Sequence, residues 1–243
     1  PEPLQHHHKL WAASYWHRHH RWTDKPPCRP RDLQQQRRHG ERQGEHRLDE
    51  RHAHHAERRA QRQSLPAVSQ ADVDTLVEEY YSKYDILLEG RDPQEFRKHV
   101  AVQAKIELGF ERFLEEKNYH AIVTHFGDLG ALQQLPGLAI QRLMEKGYGF
   151  GGEGDWKTAA MVRLMKIMTQ GVKNAKGTSF MEDYTYNFVK GKEGILQAHM
   201  LEVCPTIADG PISIKCQPLS MGDREDPTRL VFTSKEGHGV ACS

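Results

Sequence analysis

The first 64 residues contain no valine, isoleucine, phenylalanine or methionine. Their only aliphatic side chains larger than alanine are Leu4, Leu10, Leu33 and Leu48. So little apolar surface cannot offset the entropy of ordering the segment, which excludes a packed core there. Cysteine is also scarce. Cys28, Cys204, Cys216 and Cys242 show no CxxC spacing and are too few for a disulfide framework in 243 residues. Cys204 and Cys216 stand in apolar, strand-like runs and are expected to behave as small buried hydrophobes, which favours a reducing compartment. No run of about 18 apolar residues occurs, so no membrane-spanning helix is expected. No charged-then-apolar leader marks a signal peptide. The expectation is a cytoplasmic protein without a membrane partner.

What the first quarter does contain is histidine and arginine, eleven of the former and twelve of the latter. Residues 1–64 carry a formal charge of +6 and the remainder −5, a split hidden by the overall +1. Three readings compete for this segment. It could be a basic tail for nucleic acid, or a loose metal-binding tract built on His6-His7-His8, His17, His19 and His20. It could also be a GC-rich coding stretch read out of frame, which crowds Arg, His, Gln and Pro together and leaves Lys rare. No function is assigned to it, and no nucleic-acid partner is expected.

Regular patterning begins near Leu65. Ser69 with Asp72 three residues on resembles a helix N-terminal capping pair. Val73, Leu76, Val77, Tyr80, Tyr81 and Tyr84 then fall at helical spacing. A second helix is expected from Asp92-Pro93, proline costing nothing in the first turn, to about Lys117. Its expected buried face is Val100, Ile106, Phe110, Phe113 and Leu114. The β-branched run Ala121 to Phe126 reads as a buried strand, and Pro136 opens a third helix ending near Gly147.

The pattern GxGxxG then occurs twice, at Gly147-Gly149-Gly152 and at Gly149-Gly151-Gly154. In a dinucleotide-binding fold it follows a strand and precedes an acidic ribose ligand. Here a helix precedes it and no such acid follows, so nucleotide binding is set aside. The glycines are expected to form a tight loop that places Glu153 ahead of a helix over about Asp155 to Gln170. There the positive helix end favours an ionised carboxylate. Glu153 either binds a cation or caps that helix, and spacing does not decide between them.

From Thr178 the period changes to two. Phe180, Glu182, Tyr184, Tyr186 and Phe188 alternate with polar neighbours, which puts an acid among aromatics on an expected buried face. After Lys190-Gly191-Lys192-Glu193-Gly194 a second alternating run covers Ile195 to Val203, where His199 shares a face with Ile195, Leu201 and Val203. A hairpin centred near Gly191 brings Glu182 and His199 opposite or within one pair of each other, about 5 Å apart at Cβ when directly opposite. A carboxylate and an imidazole at that distance can share one metal ion. Taken singly, an inward His or Glu is more often a hydrogen-bonded core residue than a ligand.

The strings GYGFGGEGDWKTAA, GTSFMEDYTY and HMLEVCP, with FGDLGALQQLPGLA before them, closely resemble the bacterial L-arabinose isomerases. The likeness runs from about Ser69 to the C-terminus. It implies that Glu153, Glu182 and His199 bind a catalytic divalent ion, Mn2+ foremost, with Co2+ and Mg2+ as alternatives. It implies that Phe126 lines the sugar pocket. The implied reaction interconverts L-arabinose and L-ribulose through a cis-enediol, Glu153 and Glu182 moving a proton between C1 and C2. The implied assembly is a homo-oligomer, hexameric in the family.

The departures are as specific. Nothing in residues 1–64 matches the family's N-terminal domain, and its fourth metal ligand, a distal histidine, has no counterpart before Ser243; His238 sits in a Gly-His-Gly setting. Ile212, Ile214 and Cys216, then Leu230 to Phe232, read as two more strands of a β domain cut off midway. The expected class is α/β. A Rossmann-like central domain over 65–177 is followed by a truncated antiparallel β domain over 178–243, and preceded by a disordered or non-native segment over 1–64. A partial isomerase with little or no turnover is expected, or alternatively a non-catalytic fragment that acts as an interaction module.

Overall fold

The computed structural model describes residues 66–242 except 128, 174, 176, 219–223 and 235. The histidine- and arginine-rich segment 1–64 and Cys28 lie outside the described residues. The unit considered below is Leu65–His238.

Helix α1 (Gln70–Lys83) starts where its cap predicts: the Ser69 side chain accepts the Asp72 backbone N–H. Its Val73, Leu76, Val77 and Tyr80 form one buried stripe. A three-residue strand β1 (Asp85–Leu87) follows, too short to signal itself. Helix α2 (Pro93–Glu116) is capped by Asp92, whose carboxylate accepts from the Gln94 and Glu95 N–H groups. Its buried face includes Phe96, Val100, Ile106, Phe110 and Leu114 together with the polar Gln103 and Glu107, while Phe113 is only partly buried.

Those two polar residues face helix α3 (Gly137–Glu145), which is buried along almost its whole length. Gln103 donates to Gln134 Oε1 and to the Leu135 carbonyl, and accepts from the Ala139 N–H. Glu107 accepts from the Tyr80 hydroxyl at 2.5 Å and meets Lys146 Nζ at 2.8 Å and Arg142 Nε at 3.6 Å. Arg142 reaches on to Glu145 and Glu79. Every charge in this cluster has an opposite neighbour, the condition under which buried ions are tolerated. Burial raises the Glu107 carboxyl above its ordinary value, against the pull of Lys146 and Arg142.

Strands β2 (Ala121–Val123) and β3 (Gly149–Gly151) flank α3 in sequence and pair in parallel. Two expectations change here. The run Ala121 to Phe126 is a strand only as far as Val123, and it is part-exposed, β3 being its one strand partner among the described residues. Of the glycine run, the expected tight turn ahead of the helix is confined to 152–154, and Gly149–Gly151 is a strand. Helix α4 (Trp156–Met168) lies directly on its backbone: a Cβ on Gly149 would sit 2.1 Å from the Ala159 carbonyl oxygen, and one on Gly151 the same distance from that of Asp155. Glycine is required there for close packing.

Strands β4 (Glu182–Asn187) and β5 (Gly194–Ala198) form the expected antiparallel hairpin, with a register shift between Asp183 and Thr185. Its aromatic face is not buried. Tyr184, Tyr186 and Phe188 are exposed, Phe188 at 82%, and only Phe180 is in the core. The second run also stops at Ala198 instead of Val203, and the chain turns so that Leu201 and Glu202 are both buried. Strands β6 (Ser213–Cys216) and β7 (Thr228–Val231) pair with each other antiparallel, and β6 pairs in parallel with β1. Cys204 and Cys216 are buried thiols, as expected of small hydrophobes. The result is a mixed α/β unit with small sheets. Among the described residues no helix is long and apolar enough to cross a membrane.

Replacing Gly149 with alanine forces its methyl group into the α4 backbone and is expected to cost roughly 3 kcal/mol or more. Gly194→Ala, with open space around it, should stay within about 0.5 kcal/mol of the parent. Urea denaturation checks both, and equal costs would remove the packing explanation. Asp155 caps α4, accepting from the Lys157 and Thr158 N–H groups and the Thr158 hydroxyl. These bonds, the Thr158 hydroxyl first, hold its carboxyl below the ordinary 3.8. Its contribution is therefore present above that value and lost as pH falls through the lower folded-state value. Asp155→Ala should cost about 1 kcal/mol at neutral pH. The difference from the parent should shrink in urea titrations taken below pH 3.8.

Candidate active site

Parallel strands β2 and β3 end side by side, and ligand sites of α/β sheets form in the crevice beyond such carboxyl ends. Thr124 to Phe126 leave β2; Gly152 to Gly154 leave β3. The two turns are tied together by the Gly154 N–H donating to the Thr124 carbonyl at 3.0 Å. Within the second turn Glu153 adopts φ +54° and Gly154 φ +82°. A left-handed glutamate is uncommon. Such strain, of order 1–3 kcal/mol, clusters at functional sites. The capping alternative for Glu153 does not hold, because Asp155 fills that role. The exposed Glu153 carboxylate is left to the crevice.

The hairpin supplies the second half. Glu182 pairs with Ala198, so His199 is one residue past the directly opposite position, within the range expected. Its Nε2 lies 3.8 Å from Glu182 Oε2, with side-chain exposures of 15% for the histidine and 41% for the glutamate. Three contacts fix the imidazole. Phe180 meets it edge to face at 4.8 Å, and Phe150 buttresses Phe180 at 5.2 Å. Gly152 backs it, since a Cβ there would stand 3.2 Å from the Phe180 ring and 3.6 Å from His199 Nε2. On its far side Nδ1 is 2.6 Å from Glu202 Oε2.

Burial alone would lower the affinity of His199 for a proton. The bond to Glu202 and the charges of Glu202, Glu182 and Glu153 outweigh that and raise it. The crevice is thus a place of negative potential, which attracts cations. Glu202 was not singled out from sequence. Its only signal was an acid three residues after a histidine in an otherwise apolar run, where alternation would have turned it outward.

Phe126 stands on the β2 turn, 50% exposed and stacked on His125 at 5.0 Å. The structure therefore draws Glu182 and His199 into a pair and sets the Glu153 turn against them through Gly152. Among the described residues, no three His, Cys, Asp or Glu side chains converge tightly enough to hold a metal ion. The expected three-ligand cluster is thus represented by a pair, with Glu153 close enough for its charge to act on His199. The donors nevertheless suit a divalent ion. With Nδ1 lying 2.6 Å from Glu202, Nε2 is the nitrogen turned toward Glu182, and an imidazole nitrogen with carboxylate oxygens is a donor set that divalent ions use.

Residues 60–171 match the model of the L-arabinose isomerase central domain, and residues 177–243 match that of the L-arabinose isomerase C-terminal domain. The L-arabinose isomerase of Geobacillus thermodenitrificans is 56% identical over 181 residues, covering 74% of this chain and 36% of that protein. That of Nocardioides sp. is 54% identical over 173 residues, covering 71% and 34%. That of Salmonella enteritidis is 50% identical over 183 residues, covering 74% and 36%. The chain thus spans about a third of the length of these relatives. Two consecutive family models and identities of this level over its patterned part agree: the chain belongs to the L-arabinose isomerase family.

Proposed function

We propose that this chain carries the metal-binding and proton-transfer groups of an aldose–ketose isomerase acting on L-arabinose and L-ribulose. The observation that carries this reading is the Glu182–His199 pair, set by the hairpin register and faced by the Gly152–Gly154 turn that bears Glu153. Glu182 and His199 Nε2 would hold a divalent ion, manganese foremost, and Glu153 would complete the set by turning its side chain inward. When bound, the ion supplies Lewis acidity that polarises the sugar carbonyl.

The remaining chemistry belongs to the chain. One carboxylate of the Glu153 and Glu182 pair removes the C2 proton of the aldose, giving a cis-enediol. The other returns a proton to C1, while the hydroxyl proton passes from O2 to O1. General acid–base transfer of this kind is worth about 10²–10⁴-fold. The Phe126 ring offers an apolar face to the carbon skeleton of the sugar, and Phe180 keeps water from the back of the imidazole. In this reading the central part is Rossmann-like and leads into an antiparallel β part, the working protein is a homo-oligomer, and its place is the cytoplasm.

Manganese at about 100 times its dissociation constant should stabilise the chain by about 2.7 kcal/mol. For a protein of this size that is a rise of roughly 5–10 °C in Tm. Glu182→Gln and His199→Gln should abolish the rise. Glu153→Gln should weaken it and lower any ketose formed from L-arabinose by about 100-fold or more. A parent chain whose Tm ignores manganese and which forms no ketose would sink the reading.

A further inference from the structure

We propose that Glu202 is the positioning residue of His199: its buried carboxylate accepts the Nδ1 proton, so that in the neutral ring Nε2 is the nitrogen without a proton and it faces the Glu182 side of the crevice. The inference rests on the reading that His199 is a metal ligand. It adds a residue, and a direction of proton, that the ligand set does not include.

The geometry is local and closed. Glu202 lies three residues after His199, on the stretch that turns inward once β5 ends. Its carboxylate is 5% exposed as a residue, yet Oε2 has no well-directed hydrogen-bond donor other than what Nδ1 can offer at 2.6 Å. His199 Nδ1 is in the same position, buried with Glu202 as its sole neighbour of that kind. Two buried polar atoms at that separation satisfy each other or neither is satisfied, and leaving both unmade is costly. A proton on Nδ1 resolves both at once. Phe180 packs against the ring edge to face and Gly152 lies beside Nε2, which restricts the room for the ring to turn. Fixing the proton on one ring nitrogen determines which nitrogen can donate electrons.

A purely structural role would look different. Arg229 also feels the Glu202 charge, and its guanidinium bonds the Met200 carbonyl and Gln217. Glu202 could therefore serve only to balance Arg229. In that case its loss would cost stability without changing which nitrogen of His199 carries the proton.

The test is long-range 1H–15N spectroscopy of the full chain, metal-free, labelled at histidine and held at alkaline pH where the ring is neutral. The His199 signals are identified by their loss in His199→Gln. The parent should show the Nδ1–H tautomer. Glu202→Gln should retain it, since the carboxamide oxygen still accepts that proton, and Glu202→Leu should move the proton to Nε2. Manganese affinity, read from the free-ion EPR signal, should fall about 10–100-fold in Glu202→Leu and less in Glu202→Gln. An Nε2–H tautomer in the parent overturns the proposal without reference to any variant, so a Glu202→Leu chain that fails to fold does not shield it. A folded Glu202→Leu chain that keeps Nδ1–H overturns it equally. An Nδ1–H parent that binds no manganese supports the hold of Glu202 on His199 while removing the metal reading on which the function rests.

Discussion

The carboxamide of Gln141 is the joint on which the arrangement turns. It lies within α3, buried, and makes three hydrogen bonds toward the chain's last third. It donates to the Val203 and Leu230 carbonyls at 2.8 and 3.1 Å and accepts from the Leu230 N–H at 2.7 Å. One side chain thus ties the central helix to β7 and to the segment that follows His199 and Glu202. Each such bond contributes only about 1 kcal/mol net, but its loss would strand three buried backbone groups at about 1–3 kcal/mol apiece. The site depends on this joint, because His199 is held from behind by residues that Gln141 anchors.

A second constraint acts from the front. Helix α4 approaches β3 so closely that only glycine fits at 149 and 151, and the same closeness sets the turn that carries Glu153 against the Phe180–His199 pair. Lys166 adds a bond from α4 to the Thr178 carbonyl at 2.7 Å and reaches Cys204 Sγ at 3.3 Å. The glycine-rich motif is therefore a packing device at the carboxyl end of a strand, and its phosphate-binding look is incidental. Its chemistry follows from what the packing brings near: a strained turn with an uncommitted carboxylate.

Much of this was legible before any coordinates. Ser69 announced its cap and Asp92-Pro93 marked a helix start, whereas at α4 the candidate cap Glu153 gave way to Asp155. Apolar residues at helical spacing gave the stripe of α1, and the turn at Gly191 fixed the hairpin register that unites Glu182 with His199. What could not be read has physical reasons. Strand β1 is three residues long and pairs with β6 far along the chain, so no local pattern marks it. Gln103, Glu107, Gln141 and Arg142 are polar, and their burial comes from partners on other elements. The alternation of Tyr184, Tyr186 and Phe188 promised an inner face, but periodicity reports only that one face is apolar. Whether anything covers that face is a tertiary matter, and here the hairpin stands with it exposed.

The last step concerns charge. Glu153, Glu182 and Glu202 all act on one imidazole, and together they favour a cation on it despite its burial. They do so from different settings. Glu202 is buried and committed to Nδ1, Glu182 is half-exposed beside Nε2, and Glu153 stands on a turn with no cap to hold it. If the only need were to satisfy a buried histidine, Glu202 alone would suffice. Of the other two carboxylates, Glu182 lies 3.8 Å from the opposite nitrogen and Glu153 is near enough for its charge to act on the ring. The three acids thus stand asymmetrically about His199, one buried at Nδ1, one beside Nε2 and one on the adjoining turn, which is more negative charge than a hydrogen-bonded core histidine needs.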